Sequence, residues 1–185
     1  MKKIKIKAIC GKAGSGKDTI LREVIKAFPQ NNKIINCTTR PIRENETNGI
    51  NYHFLTIPEF TDKLINGKII EASEFNNWFY GTDIETLSQS NTNIGVFNPT
   101  GIEILMENPS IDLTIFLIEA TDKNRLLRQL NREENPDVKE IVRRFSADEK
   151  DFNHFELFAS PIVLHNNSKE DLEYAVKVIG SEENI

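Results

Sequence analysis

Cysteine and histidine are scarce in this chain of 185 residues, with two cysteines, Cys10 and Cys37, and three histidines, His53, His154 and His165. Neither type falls at metal-site spacing, and two lone thiols cannot build the disulfide frame of a small secreted domain. A zinc module is thereby excluded, and the cysteines are expected to be reduced, half-buried residues of an intracellular, cytoplasmic protein. No Ser/His/Asp set suggests nucleophilic catalysis, and the histidines read as structural. Long apolar runs are missing too: none approaches the roughly 20 residues of a membrane span. The first residues alternate lysine with isoleucine and lack the apolar stretch of an export signal, so they predict a first strand. Positive charge is short, with 23 Lys and Arg against 28 Asp and Glu and a formal net charge of -5. That excludes a surface that grips nucleic acid throughout, while leaving room for a local basic pocket around a small polyanion.

What is present is alternation of strand and helix. Residues 3–10 alternate and then run apolar, ending in Gly11-Lys12-Ala13-Gly14-Ser15-Gly16-Lys17, after which residues 19–28 carry Ile20, Leu21, Val24, Ile25 and Phe28 at helical spacing. Residues 34–38 and 51–56 read as short strands around a polar stretch. Residues 58–66 predict a helix with Pro58 in its first turn, Phe60, Leu64 and Ile65 on one face and Gly67 closing it. Small strands are expected at 69–75 and 78–80, central parallel strands at 94–98 and 113–119 with a helix over 101–107 between them, then two charged helices across 122–153 broken near Asn135-Pro136. A last strand at 160–166 and a last helix at 169–179, with Leu172, Ala175, Val176 and Ile179 inward, complete the chain. This order predicts one α/β domain over residues 1–185, a parallel sheet flanked by helices, with an insertion over 36–90 and a helical lid over 122–146.

The glycine segment, set between a strand and a helix, has the context of a phosphate cradle. Gly11, Gly14, Ser15 and Gly16 let backbone N–H groups turn toward phosphate oxygens, the helix start adds partial positive charge, and Lys17 places a full charge near the β- and γ-phosphates, with Thr19 close behind. The position after the lysine, where a hydroxyl would ligand Mg²⁺, holds Asp18. Its carboxylate is either a direct Mg²⁺ ligand or a helix cap.

Four ordered blocks follow: Thr38-Thr39-Arg40-Pro41-Ile42-Arg43, Gly49-Ile50-Asn51-Tyr52-His53-Phe54, Gly67-Lys68-Ile69-Ile70-Glu71 and Trp78-Phe79-Tyr80-Gly81-Thr82. With the phosphate loop they resemble the guanylate kinase family, P-loop nucleoside-monophosphate kinases, over nearly the whole chain. The resemblance implies a P-loop NTPase-like core and transfer of the γ-phosphoryl of ATP to GMP or dGMP, with Mg²⁺. Arg40 and Arg43 then offer planar forks to the acceptor phosphate and Tyr52 and Tyr80 uncharged donors, while Glu71 reads the guanine N1–H and exocyclic amine, assisted by Thr82. Asn36 stands where the family has a serine at the guanine oxygen. Val96 and Asn98 stand where it has two aspartates, which leaves Asn98 a neutral amide toward the acceptor and makes Asp18 a relocated carboxylate.

Arg144, in Ile141-Val142-Arg143-Arg144-Phe145, resembles the lid arginine that the family directs at the phosphates, and Arg128 and Arg132 are further candidates. Lys17, Arg40, Arg132 and Arg144 are the expected catalytic cations. Asn166 or Asn167 is expected at the ATP adenine. The partners implied are small nucleotides, with neither nucleic acid nor membrane, for a monomer or homodimer. Two other readings stay open: a kinase of broader deoxynucleotide preference and a catalytically silent binding module. Lys17, both clamp arginines and Glu71 together favour the enzyme, because a scaffold has no need of them.

Overall fold

The computed structural model describes residues 3–42, 46–75, 77–132, 134–153 and 155–181. The first strand, β1 (Ile4–Cys10), is all but enclosed over its last three residues, and α1 (Lys17–Ala27) packs behind it through Ile20, Leu21 and Val24. β1 lies at the centre of a five-stranded parallel sheet together with β2 (Asn32–Lys33), β7 (Asn93–Val96), β8 (Ile111–Glu119) and β9 (Ile162–His165), in the order β2-β7-β1-β8-β9. Near-continuous Ile, Leu, Val and Phe in these strands follows from burial on both faces. One face packs on α1 and the last helix, α7 (Lys169–Gly180), through Ile9, Val24, Ile94, Phe116, Ala175 and Ile179. The other packs on α3 (Pro99–Glu107) and α6 (Phe155–Ala159) through Ala8, Ile102, Leu105, Leu117 and Phe155. Removing this apolar surface from water contributes roughly 25 cal/mol per Å², the main source of stability.

A second, four-stranded sheet is made by β3 (Cys37–Thr38), β4 (His53–Phe54), β5 (Ile69–Phe75) and β6 (Trp78–Asp83), ordered β4-β3-β6-β5. α2 (Ile57–Ile65) covers one side of it, begun by a reciprocal cap between Thr56 and Glu59. The α4 (Asp122–Leu130) and α5 (Val138–Asp151) helices follow β8.

Several expectations change. The single strand at 34–38 is two strands, because the chain leaves the parallel sheet after the Ile34 N–H bond to Ile94 and enters the second sheet at Cys37. On α2 only Phe60 is buried; Leu64 and Ile65 are exposed, since the small sheet is wide enough to cover one turn of apolar contact. Both cysteines are fully buried rather than half-buried, and burial pushes their thiols up, Cys10 to about 12 and Cys37 to about 11, which keeps them unreactive. The α6 turn was not anticipated. Among the described residues no helix is long and apolar enough to cross a membrane.

Candidate active site

The phosphate loop is shaped by three glycines with positive φ: Gly11 at 151°, Gly14 at 79° and Gly16 at 96°. Space forbids side chains there as strongly as conformation does. A Cβ on Gly14 would sit 2.4 Å from the Arg125 carbonyl oxygen, and one on Gly16 would sit 2.2 Å from the Asn166 amide nitrogen. Gly16 caps α1 without any side-chain hydrogen bond, so the first N–H groups of this helix stay available to an anion, with Lys17 at its first position. Asp18, next in line, is exposed and does not cap the helix, so of the two readings for its carboxylate the cap is ruled out.

The loop is braced from behind. Arg125, 2% exposed, donates from Nε to the Ala13 carbonyl at 3.1 Å, and Arg128 donates from Nη1 to the Gly14 and Ser15 carbonyls at 3.2 Å. Asn166 is 5% exposed and donates from Nδ2 to the Ser15 carbonyl at 2.7 Å, while its own carbonyl accepts from Arg128 Nη2 at 2.7 Å. The Asn166 amide is thus buried against the loop and supports it. Asn167 is exposed and accepts at Oδ1 from the Thr121 N–H at 2.8 Å.

The second sheet presents one face to α2 and the other to a polar pocket. Alternation along β6 sends Phe79 toward the α2 side and Tyr80 and Thr82 toward the pocket. On β5 alternation alone would put Ile69 and Glu71 on one face. A bulge prevents this: Ile69 pairs with Asp83 but Ala72 pairs with Gly81, so two residues of β5 oppose one of β6. Ile69 thus enters the small core with Phe60 while Glu71 turns into the pocket.

At the closed end, Glu71 is 5% exposed, and burial lifts its carboxyl to about 7 although the Thr82 hydroxyl donates to it at 2.8 Å. Asn36 Oδ1 lies 3.1 Å from the same hydroxyl, whose single hydrogen the two acceptors share, and Asn36 Nδ2 donates to the Val96 carbonyl at 3.1 Å. One of the two amide hydrogens expected for a guanine oxygen is thus already engaged. Asn98 is the N-cap of α3, accepting from the Gly101 N–H at 2.7 Å and donating to Ser73 Oγ at 2.8 Å. It is exposed, and its amide is engaged by the cap of α3 and by Ser73.

At the open end, Arg40 is 5% exposed, and its Nη2 donates to both carboxylate oxygens of Glu46 at 2.7 and 2.9 Å, its Nη1 to the Pro41 carbonyl. The guanidinium lies 5.6 Å from the centres of both the Tyr52 and Phe54 rings, and Tyr52 packs edge-on against Tyr80 at 6.1 Å. Burial, and after it the charge of Asp18, pushes Tyr52 up to about 12, so the start of α1 lies within electrostatic reach of this cluster. Glu46 was not anticipated; it sits in a polar stretch with no periodicity to mark it. Arg43 and His154 lie outside the described residues.

The arginines after β8 divide. Arg144 pairs with Glu140 at 2.8 Å, one turn earlier on α5, and Glu140 is held down to about 2, first by its hydrogen bond from Arg143 and, with burial opposing, also by Arg144. Arg132 is exposed beyond the end of α4. Arg128 belongs to the loop brace.

A family model described as guanylate kinase matches residues 3–182. The chain belongs to the guanylate kinase family. A guanylate kinase of Mesomycoplasma hyopneumoniae is 32% identical over 197 residues, covering 98% of this chain and 97% of that protein. One of Chlorobium luteolum is 44% identical over 70 residues, which span only 38% of this chain and 36% of the relative. The crystal structure of guanylate kinase from Anaplasma phagocytophilum superposes with a TM-score of 0.67 over 96% of this chain and 86% of that one; at 20% identity the likeness speaks to the fold.

Proposed function

We propose that the chain transfers the γ-phosphoryl group of ATP to GMP, giving ADP and GDP. The observation that carries this reading is the pocket of the second sheet, with the buried Glu71–Thr82–Asn36 chain at one end and Arg40, Tyr52 and Tyr80 at the other. Ionised Glu71 accepts from the N1–H and exocyclic amine of guanine, an edge that adenine lacks. Arg40, oriented by Glu46, and the two tyrosines receive the acceptor phosphate, with Arg43 as a further donor. The reading takes residues 36–90 as the acceptor-binding insertion and 122–146 as the lid, supported by the separate sheet within the first and the arginine-bearing helices of the second.

Gly11, Gly14, Ser15, Gly16, Lys17 and Thr19 receive the ATP phosphates at the start of α1. Asp18 fits Mg²⁺ as a single hard ligand: it is an exposed carboxylate beside the loop lysine, and among the described residues no group of three metal-binding side chains competes with it. When bound, Mg²⁺ supplies neutralisation of phosphate charge. An acceptor phosphate oxygen attacks the γ-phosphorus in line as its bond to the β-bridging oxygen breaks, and Lys17, Arg40, Arg144 and Arg132 offset the charge on the transferring group. Arg144 exchanges Glu140 for phosphate when the lid closes, and closure excludes water from the reaction. The proposal takes the cytoplasm as the place of the reaction.

A coupled assay of ADP formation with a panel of ribo- and deoxynucleoside monophosphates tests the proposal. Turnover with GMP, dGMP or both, at least about a hundredfold above AMP, is expected from the lost Glu71 contacts. No turnover with any monophosphate would overturn it.

A further inference from the structure

The loop brace contains a unit that joins the phosphate loop to the lid. The Ala13 backbone is gripped on both sides: its N–H donates to Asp148 Oδ2 at 2.7 Å and its carbonyl accepts from Arg125 Nε at 3.1 Å. The grips close on each other, because Arg125 Nη2 donates to the same Asp148 oxygen at 2.9 Å. Arg125 is 2% exposed, its guanidinium lies 4.2 Å from the centre of the Phe145 ring, and its Nη1 pairs with Asp122 at 2.8 Å. Asp148 and Phe145 are both residues of α5, three apart and on one face. One buried cation of α4 therefore fixes the rotation of α5 about its own axis at two points. Arg144 stands one turn before Asp148, about 40° away around the helix.

We propose that Arg125 and Asp148 form a positioning latch, which holds the two peptide groups flanking Ala13 in the phosphate loop and turns α5 so that Arg144 is presented to the phosphates. Neither residue touches substrate; both act through the loop and Arg144. The latch has a physical consequence distinct from stability. A buried ion pair is commonly replaced by apolar side chains with little loss of stability, but apolar side chains cannot hold a peptide N–H and carbonyl in register. The proposal rests on reading this loop as the ATP phosphate site.

The test uses the full chain with Asp148→Ala, Asp148→Asn and the double variant Arg125→Leu/Asp148→Leu, each checked for a cooperative melt. The affinity for Mg²⁺ and a non-hydrolysable ATP analogue is measured by calorimetry, alongside GMP affinity and turnover. Asp148→Ala and the double variant are expected to weaken analogue binding at least about fivefold and kcat about tenfold or more, with GMP affinity within about twofold. Asp148→Asn, which keeps an acceptor for the Ala13 N–H, should fall between. In an Arg144→Ala background, Asp148→Ala should lower kcat by less than about threefold more, as expected when one residue acts through the other. Folded variants with wild-type affinity and kcat would overturn the latch, as would effects of Asp148→Ala and Arg144→Ala that simply multiply. A wild type that binds the analogue but phosphorylates no monophosphate defeats the proposed function alone, and the affinity comparison still decides the latch. A wild type that does not bind the analogue defeats both.

Discussion

Under the proposed function Glu71 meets two opposing demands, since guanine needs its ionised form and burial favours its neutral form. Burial raises its carboxyl from the usual 4.5 to about 7. The folded chain therefore binds this proton more tightly than the unfolded chain does, so the stability it contributes is complete below about pH 4.5 and is lost as pH rises through about 7. The loss is on the order of 3 kcal/mol by about pH 8. Glu71→Gln removes that ionisation while leaving an acceptor for the Thr82 hydroxyl. Its melting temperature relative to wild type is expected to climb by several degrees between about pH 5 and pH 8, because each kcal/mol moves Tm by roughly 2–4 °C in a chain of this size. GMP turnover by the same variant should drop about a hundredfold or more, the loss of a charged acceptor from both guanine N–H groups. In the wild type, KM for GMP should rise as pH falls from about 8 to about 6. A flat KM over that range, or a Tm difference that ignores pH, would show that Glu71 does not ionise in this window.

Elements place these residues, and α3 shows how closely. Glu71 Oε2 and Asn98 Oδ1 lie 2.8 and 3.2 Å from the point where Gly101 would carry a Cβ. Alanine is the better helix former by about 1 kcal/mol, yet here it would drive the Glu71 carboxylate out of place and crowd the cap of its own helix. Gly101→Ala is expected to raise KM for GMP at least about fivefold and leave KM for ATP within about twofold, a split that a change in overall stability does not produce. Equal changes in both constants would count against it. The neutral Asn98 suits the same spot, since an aspartate there would set a like charge beside Glu71 and raise its pKa further. These relations mark the limit of what could be read in the sequence. The parallel strands, α1, α3 and α7 announce themselves by apolar period, and the loop glycines by their place between strand and helix. The β5 bulge that turns Glu71 into the pocket leaves no period, and neither does the pairing of Glu46 with Arg40 across five intervening residues. Asn166 and Arg128 carry the right chemistry to hold a nucleotide; only burial against the loop shows that they are engaged with its carbonyls.

At the scale of the whole molecule, one carboxylate couples the start of α1 to the aromatic cluster of the second sheet. Asp18 is the second residue of α1, in the proposed donor site, yet its charge is felt by Tyr52 in the proposed acceptor site. The strand end at Val96 and Asn98 offers no carboxylate, while Asn36 and Asn98 are occupied by the Val96 carbonyl, Ser73 and the α3 cap. In the proposed reaction Asp18 would draw Mg²⁺ toward the transferring phosphate, and the chain's net charge of -5 is no obstacle, because screening confines surface charges to about 8–10 Å. Asp18→Asn keeps the size and the polarity of the side chain and removes the hard ligand. It is expected to raise the free Mg²⁺ needed for half-maximal rate by about tenfold and to leave KM for GMP within about twofold at saturating Mg²⁺. Thermal stability should change by less than about 0.5 kcal/mol, because Asp18 is exposed and makes no cap bond. An unchanged Mg²⁺ dependence would return the metal to phosphate oxygens and water alone. A tenfold rise confined to KM for GMP would instead give Asp18 to the acceptor, with Tyr52 as the group through which its charge acts.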